Sequence, residues 1–236
     1  MSRLAKGRDR ELTQVEIAAE ALRLFDDGTQ DPSIRALATA LGVAPSAIYH
    51  HYASRAAIVR DVVELVWQEA TEEFLRLTPD PFSADPVEAL VAAGIATRRA
   101  FGGHHRVAPY LAATPHDSEF QIAQLALLAA LFERLGLEGD AAGEAFHTYA
   151  SYTIGATIFA ATRRIANEEL ESNAQSPGAA FDAESGREPR RRRRSSDDTR
   201  HALHEMMDVS TLDPDRDEEL FAAGLRQLVE SLRPAA

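Results

Sequence analysis

The chain has 236 residues, of which 45% are apolar and 26% charged, a composition that excludes fibrous, collagenous and wholly disordered classes. It has no cysteine, so disulfide frameworks, thiolate zinc sites and iron–sulfur clusters are excluded. Its formal net charge is −12, which argues against a general nucleic-acid sponge, yet residues 1–60 carry eight basic and seven acidic groups, so the acidity lies in the remainder.

Apolar residues recur at three- and four-residue steps and almost never alternate, so the chain reads as all-α. The basic, polar opening residues do not read as a secretory leader, and a cytoplasmic location is expected. The first helix opens on a capping box, Thr13 with Glu16, and ends at Asp26-Asp27-Gly28, with Ile17, Ala18, Ala21, Leu22, Leu24 and Phe25 as its inner face. A short second helix runs from Ser33 to about Ala40 and is broken at Leu41-Gly42-Val43. A third starts near Pro45 and reaches Tyr52, and Ser54 caps a longer fourth helix through Leu75 with Ile58, Val62, Leu65 and Val66 as its stripe.

The Pro- and Asp-rich stretch 78–86 marks a domain boundary. Helical patterns follow at about 86–102, 106–113, 117–135, 139–165 and 216–232. Residues 167–200 contain almost no large apolar side chains and read as a mobile insertion. The uncharged stretch 145–162 is long enough to raise the question of a membrane span, but His147, Thr148, Ser151, Thr153, Thr157 and Thr162 make it too polar for lipid and suited to a buried helix, so no membrane partner is expected.

Residues 34–53 have the spacing of a helix-turn-helix: small Ala38 where two helices touch, Gly42 four residues on for the turn, and Leu37, Leu41, Val43 and Ile48 pinning the pair. Pro45, Ser46, Ala47, Tyr49, His50 and His51 are then the outward positions of the third helix, short or hydrogen-bonding groups able to approach bases and phosphates. Two short helices around a glycine also occur in all-α proteins that bind no DNA, and spacing alone leaves both readings open.

From Leu12 to about Val66 the sequence resembles the DNA-binding domain of TetR-family transcriptional regulators. The resemblance rests on the capped first helix ending in Phe25, on Ser33-Ile34-Arg35-Ala36-Leu37-Ala38, Leu41-Gly42-Val43 and Ile48-Tyr49-His50-His51-Tyr52, and on Ser54-Arg55 opening a long helix. It implies a base or phosphate contact for Arg35, a groove-facing surface of Ser46, Ala47 and His50, and phosphate contacts for Tyr49 and Arg55. Arg35 lies on the polar side of its helix and can bond guanine bidentately. Arg55 sits in a first helical turn, where the dipole disfavours a cation and a phosphate would compensate. The family often carries lysine at position 55 and phenylalanine at position 52.

The resemblance implies residues 1–53 as DNA-binding domain, 54–78 as connecting helix, and 79–236 as effector-binding and dimerisation domain. Ser151 and Gly155 with Ala150, Ala156 and Ala160 permit close helix approach, and Leu220, Phe221, Gly224, Leu225, Leu228, Val229 and Leu232 form a broad apolar face. Such helices from two chains would make a four-helix interface, so a homodimer through Ser151, Gly155, Phe221, Leu225, Leu228 and Leu232 is expected. Residues 107–111 and 145–159 resemble the tetracycline-repressor branch, but Tyr110 stands near where that branch has a metal-binding histidine, and no acidic residue falls between Thr148 and Arg164. An apolar or aromatic effector bound without metal or cofactor is therefore expected, with Trp67, Thr71, Phe74, Phe101, Tyr110, His147, Tyr149 and Tyr152 as candidate lining or ordinary core.

His201 with His204 and His104 with His105 have plausible metal spacings but no placed third ligand. The arginine run 190–194, with Arg187 beside it, fits either DNA phosphates or a solvated tract. No phosphate loop, nucleophile elbow or dinucleotide turn is present, so an enzyme is not expected. The reading is a homodimeric repressor that binds a pseudo-palindromic double-stranded DNA operator and is released by a small molecule. A helical carrier or enzyme, or an interaction module with a non-functional helix-turn-helix, remain the alternatives.

Overall fold

The computed structural model describes residues 12–29, 31–113, 118–174 and 213–234. Among these the chain is helical without strands: α1 (Gln14–Asp26), α2 (Ile34–Leu41), α3 (Pro45–His51), α4 (Arg55–Leu77), α5 (Pro86–Gly103), a 3-10 turn (Ala108–Ala113), α6 (Glu119–Arg134), α7 (Gly139–Ala174) and α8 (Pro214–Ser231). Local chemistry sets most of the boundaries. Thr13 and Glu16 cap each other at the start of α1, Ser33, Ser54 and Ser118 each accept a backbone N–H of the following turn, and Asp85 with Pro86 opens α5. Replacing Thr13 by alanine removes one side of that box and is expected to cost about 1 kcal/mol in chemical denaturation, against little change for Thr13→Ser.

Two expectations are corrected. Residues 106–113 form no α-helix but the 3-10 turn, where Pro109 has no N–H to donate and Tyr110 N–H reaches the Val107 carbonyl at 2.9 Å. α7 continues nine residues past the expected end at 165, so 167–174 belong to a helix and not to an insertion. Glu168 holds this extension, accepting from Arg106 at 2.7 Å and from Arg164, one turn earlier, at 3.2 Å. Residues 175–200 of the expected insertion, the arginine run and His201 with His204 lie outside the described residues.

The core has two parts that share α4. One joins α1 to α3 and the first half of α4 to Phe101, Val107, Ala108 and Leu111, so the 3-10 turn is packed into the base of the N-terminal helices. The other joins Phe74 to α5, α6, α7 and α8 through Leu90, Leu131, Phe132, Tyr149 and Leu225. α5 and α7 also have buried residues in both parts, and α4 carries Val62, Val63 and Val66 fully buried near its middle. No single helix among the described residues is long and apolar enough to cross a membrane. Within the uncharged stretch of α7, Tyr149, Thr153 and Thr157 are buried against protein.

Candidate DNA-reading head and effector cavity

The turn between α2 and α3 is set by Gly42, whose φ of +67° lies in the left-handed region that favours glycine. Val43 N–H reaches back to the Ala38 carbonyl at 2.9 Å, closing α2, while Ala38 and Ile48 are buried where the two helices cross. This leaves Arg35, Pro45, Ser46, Tyr49 and His50 exposed, with Ala47 and His51 half-buried. Tyr49 is 57% exposed on a seven-residue helix, unusual for a large aromatic ring that has core available beside it.

The head is braced by contacts the sequence did not announce. The Gln14 amide donates to the His51 carbonyl at 2.8 Å, tying the first residue of α1 to the last of α3. The Tyr52 hydroxyl lies 2.6 Å from Asp61 on α4 and 3.1 Å from the Gln14 carbonyl. Burial and the Asp61 carboxylate both push the Tyr52 hydroxyl pKa up, so it is a donor at any ordinary pH. The departure from phenylalanine at position 52 was the one signal that could have revealed this bond.

Arg55 is placed differently from its expected phosphate role. Its guanidinium pairs with Asp31 in the loop before α2 and donates to the Pro32 carbonyl at 3.3 Å. The Tyr110 hydroxyl stands 3.3 Å from Asp31 and 3.5 Å from Arg55, and the Tyr110 ring packs edge-on against Phe25 with centroids 5.7 Å apart. Arg55 and Tyr110 thus fasten the head to the 3-10 turn.

A separate cavity of about 90 Å³ lies between α4, α5, α6 and α7. Trp67, Thr71, Phe74 and Tyr149, four of the eight candidate lining residues, lie on it. The other four candidates do not. Phe101 is fully buried edge-on to Trp67 outside the cavity, and Tyr110 is the anchor just described. His147 points to the exposed side of α7, and Tyr152 stacks on Phe221 at 5.6 Å. Helical spacing brings aromatic residues to an apolar face but cannot say which other face they meet.

The lining that sequence reasoning missed includes Ala70, Thr97, Gln121, Gln124, Leu128, Phe146 and Thr153. Gln124 reaches across from α6, its amide donating to Thr71 Oγ1 and, at 3.3 Å, to the Trp67 carbonyl. Gln121 is 2% exposed. Thr153 is 3% exposed and its hydroxyl has no hydrogen-bond partner, a costly arrangement in a buried wall. Its hydroxyl is a signal only the assembled cavity reveals.

The expected dimer residues divide. Ser151 and Gly155 are exposed along α7, and Leu228 and Leu232 are half-buried on α8. Phe221 and Leu225 are instead buried within the chain, against Tyr152 and Arg98 and against α5 respectively, so neither is surface of a single chain. Leu220, part of the expected apolar face of the last helix, is 46% exposed, and Phe159, which the sequence reading did not name, is 61% exposed. Among the described residues no group of three His, Cys, Asp or Glu side chains converges as a metal site.

A three-helix head presenting a short exposed helix, joined by one long helix to a larger all-α domain with an internal cavity, defines a helix-turn-helix DNA-binding regulator with a helical C-terminal domain. Residues 17–62 match the family described as "Bacterial regulatory proteins, tetR family", and residues 78–234 match "Tetracyclin repressor-like, C-terminal domain". The chain belongs to the TetR family of transcription regulators. The sequence has no significant match among curated proteins. Similar solved structures include ActR of Streptomyces coelicolor in complex with actinorhodin, 18% identical over 94% of this chain and 96% of that one, with a TM-score of 0.67. A single-residue variant of TetR from Acinetobacter baumannii AYE in complex with minocycline is 19% identical over 95% and 99% of the two chains, TM-score 0.62. BioQ of Mycobacterium smegmatis is 20% identical over 94% and 98%, TM-score 0.58. At these identities the likeness is one of fold.

Proposed function

We propose that the chain acts as a homodimeric repressor whose two α3 helices enter successive major grooves of a pseudo-palindromic operator, and that a small molecule in the α4–α7 cavity releases it. The observation that carries this reading is that one helix serves both places. α4 begins at the reading head with Ser54 and Arg55, and its side chains Trp67, Ala70, Thr71 and Phe74 wall the cavity. A ligand that displaces those side chains acts on the helix that carries the head.

At about 90 Å³ the cavity is smaller than the roughly 300–1,000 Å³ of sites for drug-sized ligands. Binding must therefore widen it, by moving Gln124 and Phe146 away from Trp67 and Thr71. The widened form is favoured only by a ligand that binds it more tightly than the narrow one, a population shift. Half-sites one turn apart, ~34 Å, tolerate little change in the separation of two heads, so a small displacement of α4 suffices to weaken operator binding. The lining suits an effector with an apolar or aromatic body and a few polar groups, which Gln121, Gln124 and Thr153 can meet. The neighbours solved with actinorhodin and with minocycline are in keeping with a ligand of that kind.

Selection of bound duplexes from a random pool, with the native chain, tests the DNA half; an enriched inverted repeat is expected, and none from a folded dimer would overturn it. The effector half is tested by Ala70→Leu, which fills the wall of the cavity. Operator affinity is expected to persist while the effector concentration needed for release rises about tenfold or more, equivalent to about 1.4 kcal/mol. Unchanged release would place the effector elsewhere.

A further inference from the structure

We propose that His104 is a positioning residue that clasps the DNA-reading head to the C-terminal domain, and that only its doubly protonated ring closes the clasp. This rests on the reading of the chain as an operator-binding regulator. His104 caps the C-terminus of α5, its N–H bonded to the Ala100 carbonyl at 3.1 Å. Its Nδ1 lies 2.9 Å from a carboxylate oxygen of Asp26, the last residue of α1, and its Nε2 lies 2.9 Å from a carboxylate oxygen of Glu69 on α4. The side chain is only 18% exposed.

The geometry decides the protonation state. A carboxylate can only accept, and a neutral imidazole has one N–H, so it can satisfy one of the two acceptors and must turn a lone pair toward the other. The imidazolium has two N–H groups and satisfies both with charge-assisted bonds. Burial by itself lowers the pKa of the ring, but the bonds to Asp26 and Glu69 outweigh it, and the result lies above the ordinary histidine value. The contribution of the clasp is then fully present below the unfolded value of about 6.5 and is lost as pH rises through the higher folded value.

The surrounding charges are otherwise occupied. Just past α1, Asp27 pairs with Arg23, and on α4, Glu73 pairs with Arg76 and Arg99. Beyond α5, His105 and Arg106 both meet Glu168 of α7, and Arg164 of α7 reaches the Gly102 carbonyl at 3.3 Å. Beside the apolar packing of Phe101 and the Arg99–Glu73 pair, His104 is thus the side chain that bonds to both α1 and α4 from the end of α5. With the clasp closed the head enters the complex already oriented; with it open, orienting the head costs binding free energy.

Two measurements with the full-length chain test the proposal. The first is an NMR titration of the His104 ring, made without DNA. The expected result is a midpoint above the ordinary histidine range that falls in Glu69→Gln, where a neutral ring can donate to Asp26 and accept from the introduced side-chain amide. A midpoint at or below the ordinary range, or one indifferent to Glu69→Gln, overturns the clasp.

The second is operator affinity against pH, at fixed salt, for native, Glu69→Gln and His104→Gln chains. Native affinity is expected to weaken by about threefold or more across the midpoint found by NMR, and Glu69→Gln to lack that step while binding as the native chain does at low pH. The same profile in all three chains would assign the pH dependence to other groups, such as His50 and His51, and overturn the positioning role. Loss of operator binding by every chain at every pH would count against the regulator reading, and the NMR titration would still decide the clasp.

Discussion

Replacing Arg35 by alanine is expected to weaken operator binding by about 2–6 kcal/mol per dimer, because a bidentate guanine contact is worth about 1–3 kcal/mol and a symmetric dimer loses it twice. Arg35 is exposed on α2, beside the buried Ala38 crossing, so its removal leaves no hole in the core. Folding and thermal stability should be unchanged. Binding measured on the selected operator and on a duplex altered at one base per half-site separates the two kinds of contact. A base contact relaxes discrimination at that position, whereas a phosphate contact lowers affinity for all sequences and reduces the salt slope. Affinity equal to that of the native chain on both duplexes would remove Arg35 from the interface.

Leu225→Ala is expected to lower the unfolding free energy by about 2–5 kcal/mol in chemical denaturation. Leu225 is fully buried on α8 and fills the space left by the missing side chain of Gly94 on α5, where an added Cβ would run into its Cδ2. Gly94→Ala alone is expected to destabilise as well, since a methyl there forces Leu225 off its seat. Together the two changes should cost clearly less than the sum of the single losses, because the new methyl occupies part of the vacated volume. Strict additivity would show that α5 and α8 do not meet at these two residues. The same packing keeps Leu225 inside the chain.

How much of this was legible depended on how far apart the interacting residues lie in the chain. The capping box of Thr13 and Glu16, the serine caps at Ser33 and Ser54, the turn at Gly42 and the small Ala38 are all relations across three or four residues. They could be read directly, and the head was read with them. The Gln14 bond to His51 spans 37 positions, the His104 bond to Asp26 78, and the Arg98 pair with Asp217 119. No spacing rule reaches so far. The end of α7 was misread for a related reason: its polar continuation past 165 is poor in apolar residues, and its helix is held by Arg106, which lies on another element.

The sequence by itself determined the helical class, most of the helix starts and the helix-turn-helix, because these follow from backbone capping, turn geometry and hydrophobic period among near neighbours, while the family came from the resemblance of residues 12–66. The tertiary structure alone decided which apolar faces meet. It put Trp67, Thr71, Phe74 and Tyr149 on a cavity but Phe101, Tyr110 and Tyr152 in packing, turned Arg55 onto Asp31, and brought Gln124 and the unpartnered hydroxyl of Thr153 to the cavity wall. An aromatic side chain has the same helical spacing whether it lines a void or fills one, and a polar side chain has no partner until another helix supplies it.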